Sequence, residues 1–219
     1  MTRRLLVLAC AATVGAATAG AQEALLPSTA WGVGTALSAW HFSKSLPQSS
    51  GGVADVAEFA IPFRLGSRFG RWNFDVSGAG AIGAVHLTAG ASGGEDRLIS
   101  IMGPTDVKLR VTGPIAGDAL QLTAGLNVPT GKVGLNGDET SALQVVGAPA
   151  LQMPVAAYGT GAGATLGLVR AFQGDDWAFA LGASAEQRTE YSPIALALTA
   201  GRAETKVTPG TALHVTAGL

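Results

Sequence analysis

Charged side chains occupy every second position in one stretch of the chain. Asp106, Lys108 and Arg110 alternate with three aliphatic residues. Acidic and basic groups held on one surface can attract or repel a charged solute, provided that one element turns all of them the same way. A β-strand does so, because successive side chains point to opposite faces. The charged residues that this spacing places on the polar side of a strand are Glu58, Arg64, Asp75, Asp106, Lys108, Arg110, Glu186 and Arg188.

Two glycine-rich stretches have features of nucleotide sites. Lys132 follows Gly131, as in a phosphate-binding loop. The upstream Gly125 is one residue too far away, however, and Val133 stands where a Ser or Thr must reach Mg²⁺. Residues 159–164, GTGAGA, fit the dinucleotide fingerprint, but strand-like residues follow them where a helix should begin. Neither stretch therefore predicts a nucleotide cofactor.

Histidines and paired carboxylates are the remaining candidates for chemistry. His41, His86 and His214 lie on separate segments without the spacing of a zinc site. The carboxylate pairs at 138–139 and 175–176 could offer oxygen ligands to Ca²⁺, but neither has the register of a calcium loop, and solvated loop charge is the favoured interpretation. No G-x-S-x-G element occurs. The sequence thus predicts no enzyme, metal or cofactor.

Two strands joined by a turn are the element that positions the central charges. Residues 106–112 and 120–128 both alternate between polar and apolar side chains, and the Gly, Pro and Asp residues of 113–118 favour a turn. Each strand is about as long as the ~9–11 residues that cross a bilayer at a tilt. The same alternation predicts strands at 30–42, 56–65, 72–87, 161–172, 177–188 and 211–219, and composition predicts loops at 44–52, 89–96 and 133–157.

Two segments depart from simple alternation. Pro62 lies within the strand at 56–65 and predicts a bulge or a sheet edge there, because proline cannot donate to a ladder. The long segment at 133–157 is expected to hold a short strand at about 142–146. Loops of that length are usually functional, and in barrels the long ones lie on the outer side of the membrane.

Composition indicates what surrounds the strands. Hydrophobic residues make up 47% of the chain and charged residues only 13%, yet after Ala21 no apolar run approaches the ~18 residues of a membrane helix. A membrane barrel combines an apolar lipid face with backbone hydrogen bonds that close between strands. We therefore predict an all-β fold, an antiparallel transmembrane β-barrel of the outer-membrane type with eight to ten strands. An exported β-sandwich is the alternative.

The amino terminus predicts export. Arg3 and Arg4 precede an apolar stretch at 5–10 and small residues that end at Ala21. This order is that of a secretory signal peptide, so we predict a signal peptide at 1–21 and a barrel domain at 22–219. A transmembrane anchor and a lipoprotein are the alternatives. Cleavage would remove the only cysteine and two of the 14 basic residues but none of the 15 acidic ones, and an acidic chain is not expected to bind nucleic acid.

Short motifs resemble those of a known family. Residues 103–109, GPTDVKL, and 126–132, LNVPTGK, resemble the G-x-x-D strand start and L-P-T-G-K strand end of the outer-membrane family linked to the meta-pathway of phenol degradation. Residues 158–161, YGTG, resemble its G-T-G element, and 209–213, PGTAL, its P-G-D-x-L strand start. The resemblance covers the chain from about residue 59 onward. It implies a β-barrel that passes small hydrophobic molecules.

Two positions depart from the family's pattern. Thr211 stands where the family usually has Asp, and Val128 stands where it more often has Leu. The family is also longer, with further strands after the P-G-x-x-L element.

The functional hypothesis is a channel or facilitator in the outer membrane for the passive passage of small molecules, which the resemblance implies are hydrophobic. The eight charged residues would face the lumen and set selectivity. The alternative is a structural or adhesive barrel whose lumen is filled by paired side chains, as an eight-stranded barrel allows. The expected partners are outer-membrane lipid, small hydrophobic solutes and the barrel-insertion machinery.

The carboxyl end leads us to expect an incomplete barrel. Outer-membrane barrels normally end on an aromatic residue, whereas this chain ends on Ala217-Gly218-Leu219. An incomplete sheet would leave strands 31–42 and 211–219 as unpaired edges, which are costly in lipid. If these two strands pair with each other instead, the chain closes as a small filled barrel.

Overall fold

A computed structural model describes residues 28–48, 51–89, 95–116, 119–192 and 206–218. They form one antiparallel sheet with a single segment packed against it, which confirms the prediction of a mainly antiparallel all-β fold. The predicted signal peptide lies outside the described residues. The strands are β1 Ser28–Val33, β2 Ala36–Gln48, β3 Gly51–Phe69, β4 Trp72–Thr88, β5 Arg97–Pro104, β6 Val107–Ile115, β7 Leu120–Val128, β8 Gly163–Gln173, β9 Ala178–Arg188 and β10 Ala212–Gly218.

One helix, α1, spans Gly137–Val146, and a single 3-10 turn follows at Pro149–Leu151. Across the described ranges, no helix combines the length and the apolar character needed to cross a membrane.

The strands follow one another as an up-and-down meander. The order is β1-β3-β4-β6-β7-β8-β9-β10, with β2 also beside β3 and β5 also beside β4. Because β1 and β2 lie end to end, as do β5 and β6, the ten strands occupy eight positions. Among the described residues β10 forms a ladder with β9 only, and no ladder joins it to β1. The expectation that further strands follow the present carboxyl end stays a prediction.

Pro62 explains why the first position is divided into two strands. The Gly34 N–H donates to the Pro62 carbonyl at 3.0 Å, but proline has no N–H to return the bond. The register continues across this gap, because Val33 pairs with Phe63 and Ala36 with Ala60. The predicted bulge or edge at Pro62 is therefore wrong. The irregularity is a break in the neighbouring strand, and β3 has partners on both sides.

A bulge joins β5 to β6. Pro104 pairs with Gly80, but Lys108 pairs with Ser77, so three residues of the bulged strand face two of β4. The extra residue reverses the alternation, and even-numbered side chains in β6 share a face with odd-numbered ones in β5. Sequence analysis missed β5 because both of its faces are apolar, which leaves no alternation to detect.

The two faces of the sheet differ in character. On the apolar face, every strand position exposes large hydrophobic side chains to the surroundings. Examples taken in order across the sheet are Trp31, Leu37, Ile61, Leu65, Phe74, Ile82, Met102, Leu109, Leu126, Leu166, Leu181 and Val215. We call the opposite side the polar face, since it carries Arg64, Asp75, Lys108 and Arg110 where β3, β4 and β6 pair.

Residues 129–162, the covering segment, pack on one half of the polar face, which is formed by the first part of β3, the last part of β4, and β5. Their buried side chains and those of β3, β4 and β5 form the hydrophobic core, in which Val85, Ile101 and Val146 are fully buried. The core comprises Val53, Val56, Ala60, Ala81, Val85, Leu87, Ile99, Ile101, Leu135, Ala142, Val145, Val146, Leu151, Met153, Val155 and Tyr158.

The short strand predicted at 142–146 is wrong, because these residues lie in α1. The Asn136 side chain accepts from the Glu139 N–H at 2.9 Å, and the Glu139 carboxylate accepts from the Asn136 N–H at 3.1 Å. This capping box starts the helix. Ala142, Val145 and Val146 are then buried at helical spacing. The Asn-x-x-Glu pattern was the sequence signal for it.

Two predicted loops are also wrong in extent. The loop predicted at 44–52 is mostly strand, because β2 runs to Gln48 and its end pairs with the start of β3. The turn predicted at 113–118 begins too early, because β6 continues to Ile115, which pairs with Leu120. Gly, Pro and Ser near strand ends produced both errors.

Two glycines of β4 test how the covering segment packs. A Cβ atom on Gly83 would lie 2.9 Å from Cγ2 of Val146, whereas one on Gly80, on the apolar face, would meet nothing within 4 Å. Gly83→Ala should lower the free energy of unfolding by about 1–3 kcal/mol, because α1 must shift. Gly80→Ala should change it by less than ~0.5 kcal/mol. Urea unfolding measures both, and equal effects would contradict this packing.

Candidate functional site

Six of the eight predicted charged residues lie on the exposed part of the polar face. The antiparallel ladders bring them together. Arg110 of β6 pairs with Asp75 of β4. Farther along the sheet, Arg188 of β9 pairs with Gly163 of β8, which in turn pairs with Asn127 of β7. Neighbouring side chains on one face of a sheet are close enough to interact. The six are Arg64, Asp75, Lys108, Arg110, Glu186 and Arg188.

Asp75 lies between two arginines from neighbouring strands. The Arg64 Nε and Nη2 atoms lie 2.9 Å and 2.5 Å from Asp75 Oδ1. Arg110 Nη2 lies 3.6 Å from Asp75 Oδ2. The Asp75 side chain is 14% exposed, whereas those of Arg64 and Arg110 are 63% and 54% exposed. One shielded carboxylate thus holds two guanidinium groups at the surface of the sheet.

A second ion pair lies farther along the sheet, within a single strand. Arg188 Nε donates to Glu186 Oε1 at 2.6 Å, and both residues belong to β9. Two depressions open on the polar face near these groups. One, of about 560 Å³, is lined by Arg64, Asp75 and Arg110, among others. The other, of about 350 Å³, borders the Glu186–Arg188 pair. Volumes in this range suit small molecules.

Asp106 lies apart from these exposed charges, because it is buried at 4% exposure. Its Oδ1 accepts from the Gly131 N–H at 2.8 Å. Its Oδ2 accepts from the Thr160 N–H at 2.7 Å, the Thr160 hydroxyl at 2.9 Å and Asn127 Nδ2 at 2.8 Å. Asp106 therefore anchors both ends of the covering segment to the bulge between β5 and β6.

Three of the four short motifs of the sequence meet at this junction. Asp106 comes from the first motif, Asn127 and Gly131 from the second, and Thr160 from the third. A Cβ atom on Gly131 would lie 2.2 Å from the Tyr158 carbonyl oxygen, so only glycine lets the two chain segments approach. These three motifs thus form one hydrogen-bonded junction.

Glu58 is the other predicted residue that is buried, at 1% exposure. Its Oε1 accepts from the Val155 N–H at 2.7 Å, which fixes the covering segment over β3. The neighbouring Tyr158 phenol is also buried. Burial, with a smaller contribution from the Glu58 charge, raises the pKa of Tyr158 to about 12. The phenol is therefore neutral over the physiological pH range.

The carboxylates at 138–139, predicted as solvated loop charge, lie in the first turn of α1 and have cationic partners. Lys132 donates to Glu139, and this hydrogen bond is the main reason why the pKa of Glu139 is below its usual value. Arg97 of β5 lies 3.2 Å from Asp138. Carboxylates also interact favourably with the amino end of a helix. The Arg97–Asp138 pair links α1 to β5, and the Lys132–Glu139 pair joins α1 to the start of the covering segment.

Two histidines share a carboxylate, which sequence analysis missed. His41 Nδ1 lies 2.6 Å from Asp55 Oδ1, and His86 Nδ1 lies 3.1 Å from Asp55 Oδ2. The three residues sit side by side on β2, β3 and β4, and only the strand register brings them together. In the part of the chain that the structure describes, no three His, Cys, Asp or Glu side chains are arranged to hold a metal ion.

Comparisons with known proteins return no match: no family model, no curated protein and no solved structure corresponds significantly to this chain.

Removal of the Asp106 carboxylate should release the covering segment. Asp106→Ala leaves two backbone N–H groups, at Gly131 and Thr160, without their acceptor, so we expect it to cost on the order of 3 kcal/mol. Asp175→Ala removes the same group from an exposed turn and should cost less than ~0.5 kcal/mol. Urea unfolding, with protease cleavage within 129–162 as a local probe, measures both. Equal stability of the two variants would refute the anchoring role.

Proposed function

We propose that this chain is an outer-membrane channel or facilitator through which small solutes pass without energy input. One observation carries the proposal: all eight strand positions expose large apolar side chains on one face, while the opposite face holds ion pairs. An exposed apolar surface of this extent is unfavourable in water. In a bilayer it would be favourable, because the strands also satisfy one another's backbone groups.

The dimensions of the apolar face support a membrane location. From Trp72 to Ile82, β4 advances roughly ten residues at ~3.3 Å each, and a strand tilted by ~40° would then span about 25 Å, the height of a barrel's apolar band. Aromatic side chains gather at one of its ends, as they do at the interfaces of a membrane barrel. At the short-turn end lie Phe69, Trp72, Phe172, Trp177 and Phe179, and at the other end the His41–Asp55–His86 cluster.

The lengths of the connections between the strands also fit an outer-membrane barrel. Those at one end are short, at 70–71, 116–119 and 174–177, while the longer ones, including the covering segment, lie at the other end. Outer-membrane barrels have short periplasmic turns and longer external loops. On this view the covering segment narrows the external half of the passage, and the exposed charges line the periplasmic half.

The solute class is the part of the proposal that depends on sequence motifs. Their resemblance to the phenol-pathway family favours small hydrophobic molecules. Selectivity would then arise at the polar face, where Arg64, Asp75 and Arg110 lie close to any passing solute.

A structural or adhesive barrel is the second candidate, and one observation favours it. The covering segment fills half of the polar face with buried side chains, among them Val146, Leu151 and Tyr158. A barrel with such an interior could be too full to conduct.

Conductance in planar bilayers distinguishes these candidates. The chain from residue 22 onward would be refolded and its β-structure verified by circular dichroism before addition to the bilayer. A channel gives steady unitary current steps. A correctly folded but silent protein would contradict the proposal and favour the structural barrel.

A second test concerns the lipid-facing side of β6. Leu109 lies on the apolar face, next to Lys108 on the polar face. If the apolar face contacts lipid near the midplane, Leu109→Arg should lower stability in phospholipid vesicles by about 2–4 kcal/mol. Lys108→Ala should cost much less, within ~0.5 kcal/mol. The assignment fails if vesicle-folding titrations show that both changes are tolerated equally.

A further inference from the structure

We propose that the polar face selects anions, and that small organic carboxylates are its preferred solutes. This inference rests on the proposed function and adds a substrate class to it. It begins with an imbalance of charge on the exposed half of the polar face. The cationic residues there are Arg64, Arg68, Lys108, Arg110 and Arg188, and the acidic residues there are Asp75 and Glu186.

The two remaining acidic residues do not offset this excess. Glu58 and Asp106 are 1% and 4% exposed, and backbone N–H groups of the covering segment donate to one oxygen of Glu58 and to both oxygens of Asp106. They lie behind the surface that a solute would meet. The exposed surface is therefore positive, and a low-dielectric wall strengthens the effect of each charge on a solute.

The arginines around Asp75 keep the ability to bind a second carboxylate. Arg64 directs two nitrogens at a single oxygen of Asp75. Arg110 lies 3.6 Å from the other oxygen, which is too far for a strong hydrogen bond. A guanidinium group presents five donors in a planar fork that matches a carboxylate. Asp75 positions both groups and neutralises only one of them.

Two further cations extend this cluster along the sheet. Arg68 precedes the β3–β4 turn, and its Nε donates to the neutral carbonyl of Gly70 at 3.1 Å. Lys108 has no carboxylate within 4.0 Å among the described side chains. The first borders the depression of about 560 Å³ and the second that of about 350 Å³. A carboxylate could thus move from one cationic group to the next.

Ion selectivity tests the inference on the whole refolded chain. A KCl gradient across a planar bilayer should give a reversal potential that corresponds to chloride passing at least about threefold more readily than potassium. Lys108→Gln and Arg68→Gln should each move this ratio toward one. Asp75→Asn should raise the ratio. Because this change is in the opposite direction, it still tests the inference if a cation variant folds poorly. Arg170→Gln removes the same charge from the apolar face, where Arg170 lies over Phe172, and should leave the ratio unchanged.

Organic solutes test the substrate class directly. A gradient of sodium benzoate should give a reversal potential that corresponds to benzoate passing more readily than sodium, whereas a gradient of benzylammonium chloride should show that this aromatic cation of similar size passes less readily than chloride. Current steps with a chloride-to-potassium ratio at or below one would overturn the inference while the proposed function stands. A reversal potential that shows sodium passing more readily than benzoate would overturn it as well. A folded, silent barrel would overturn both the inference and the proposed function.

Discussion

The structure depends on side-chain alternation that stays in phase across eight strand positions. Each ladder fixes which residues of neighbouring strands share a face, so a one-residue error anywhere would mix apolar and charged side chains. The bulge between β5 and β6 keeps charged side chains off the apolar face, because it places Lys108 and Arg110 on the face that carries Asp75. A second register shift occurs between Val53 and Asp55, near the start of β3. These irregularities make both faces continuous.

Asp106 connects that sheet to the segment that covers it. The bulge turns its carboxylate toward the polar face, where four hydrogen bonds join it to three separate parts of the chain. The covering segment can then bury its apolar residues against β3, β4 and β5. Half of the polar face therefore becomes a hydrophobic core, and the other half keeps its exposed ion pairs. A channel formed from this sheet would be narrow at one end and charged at the other.

The sequence predicted the features that depend on local alternation. Most strands, the polar side of β6 and the charges around Asp75 follow from period-two spacing, which the chain shows directly. The helix was missed, although Asn136 and Glu139 carried its capping signal. Strand β5 was missed because core residues such as Ile101 alternate with exposed apolar ones such as Met102.

Features that depend on register were beyond sequence analysis. The bonds of His41 and His86 to Asp55 require three strands to be aligned, and no spacing within one strand shows that alignment. The same holds for Asp106, whose donors are up to 54 residues away along the chain. It was predicted as one more charge in an alternating row, and its burial follows from contacts that only the folded chain makes.

The central claim is that the apolar face contacts lipid and the polar face does not. The most direct measurement places a fluorophore on single cysteines at 107 to 112, in a chain without Cys10, the only native cysteine. After refolding into vesicles that contain brominated phospholipids, quenching should alternate. It should be strong at positions 107, 109 and 111 and weak at 108, 110 and 112. Equal quenching along the strand, or strong quenching at 108 and 110, would contradict the account.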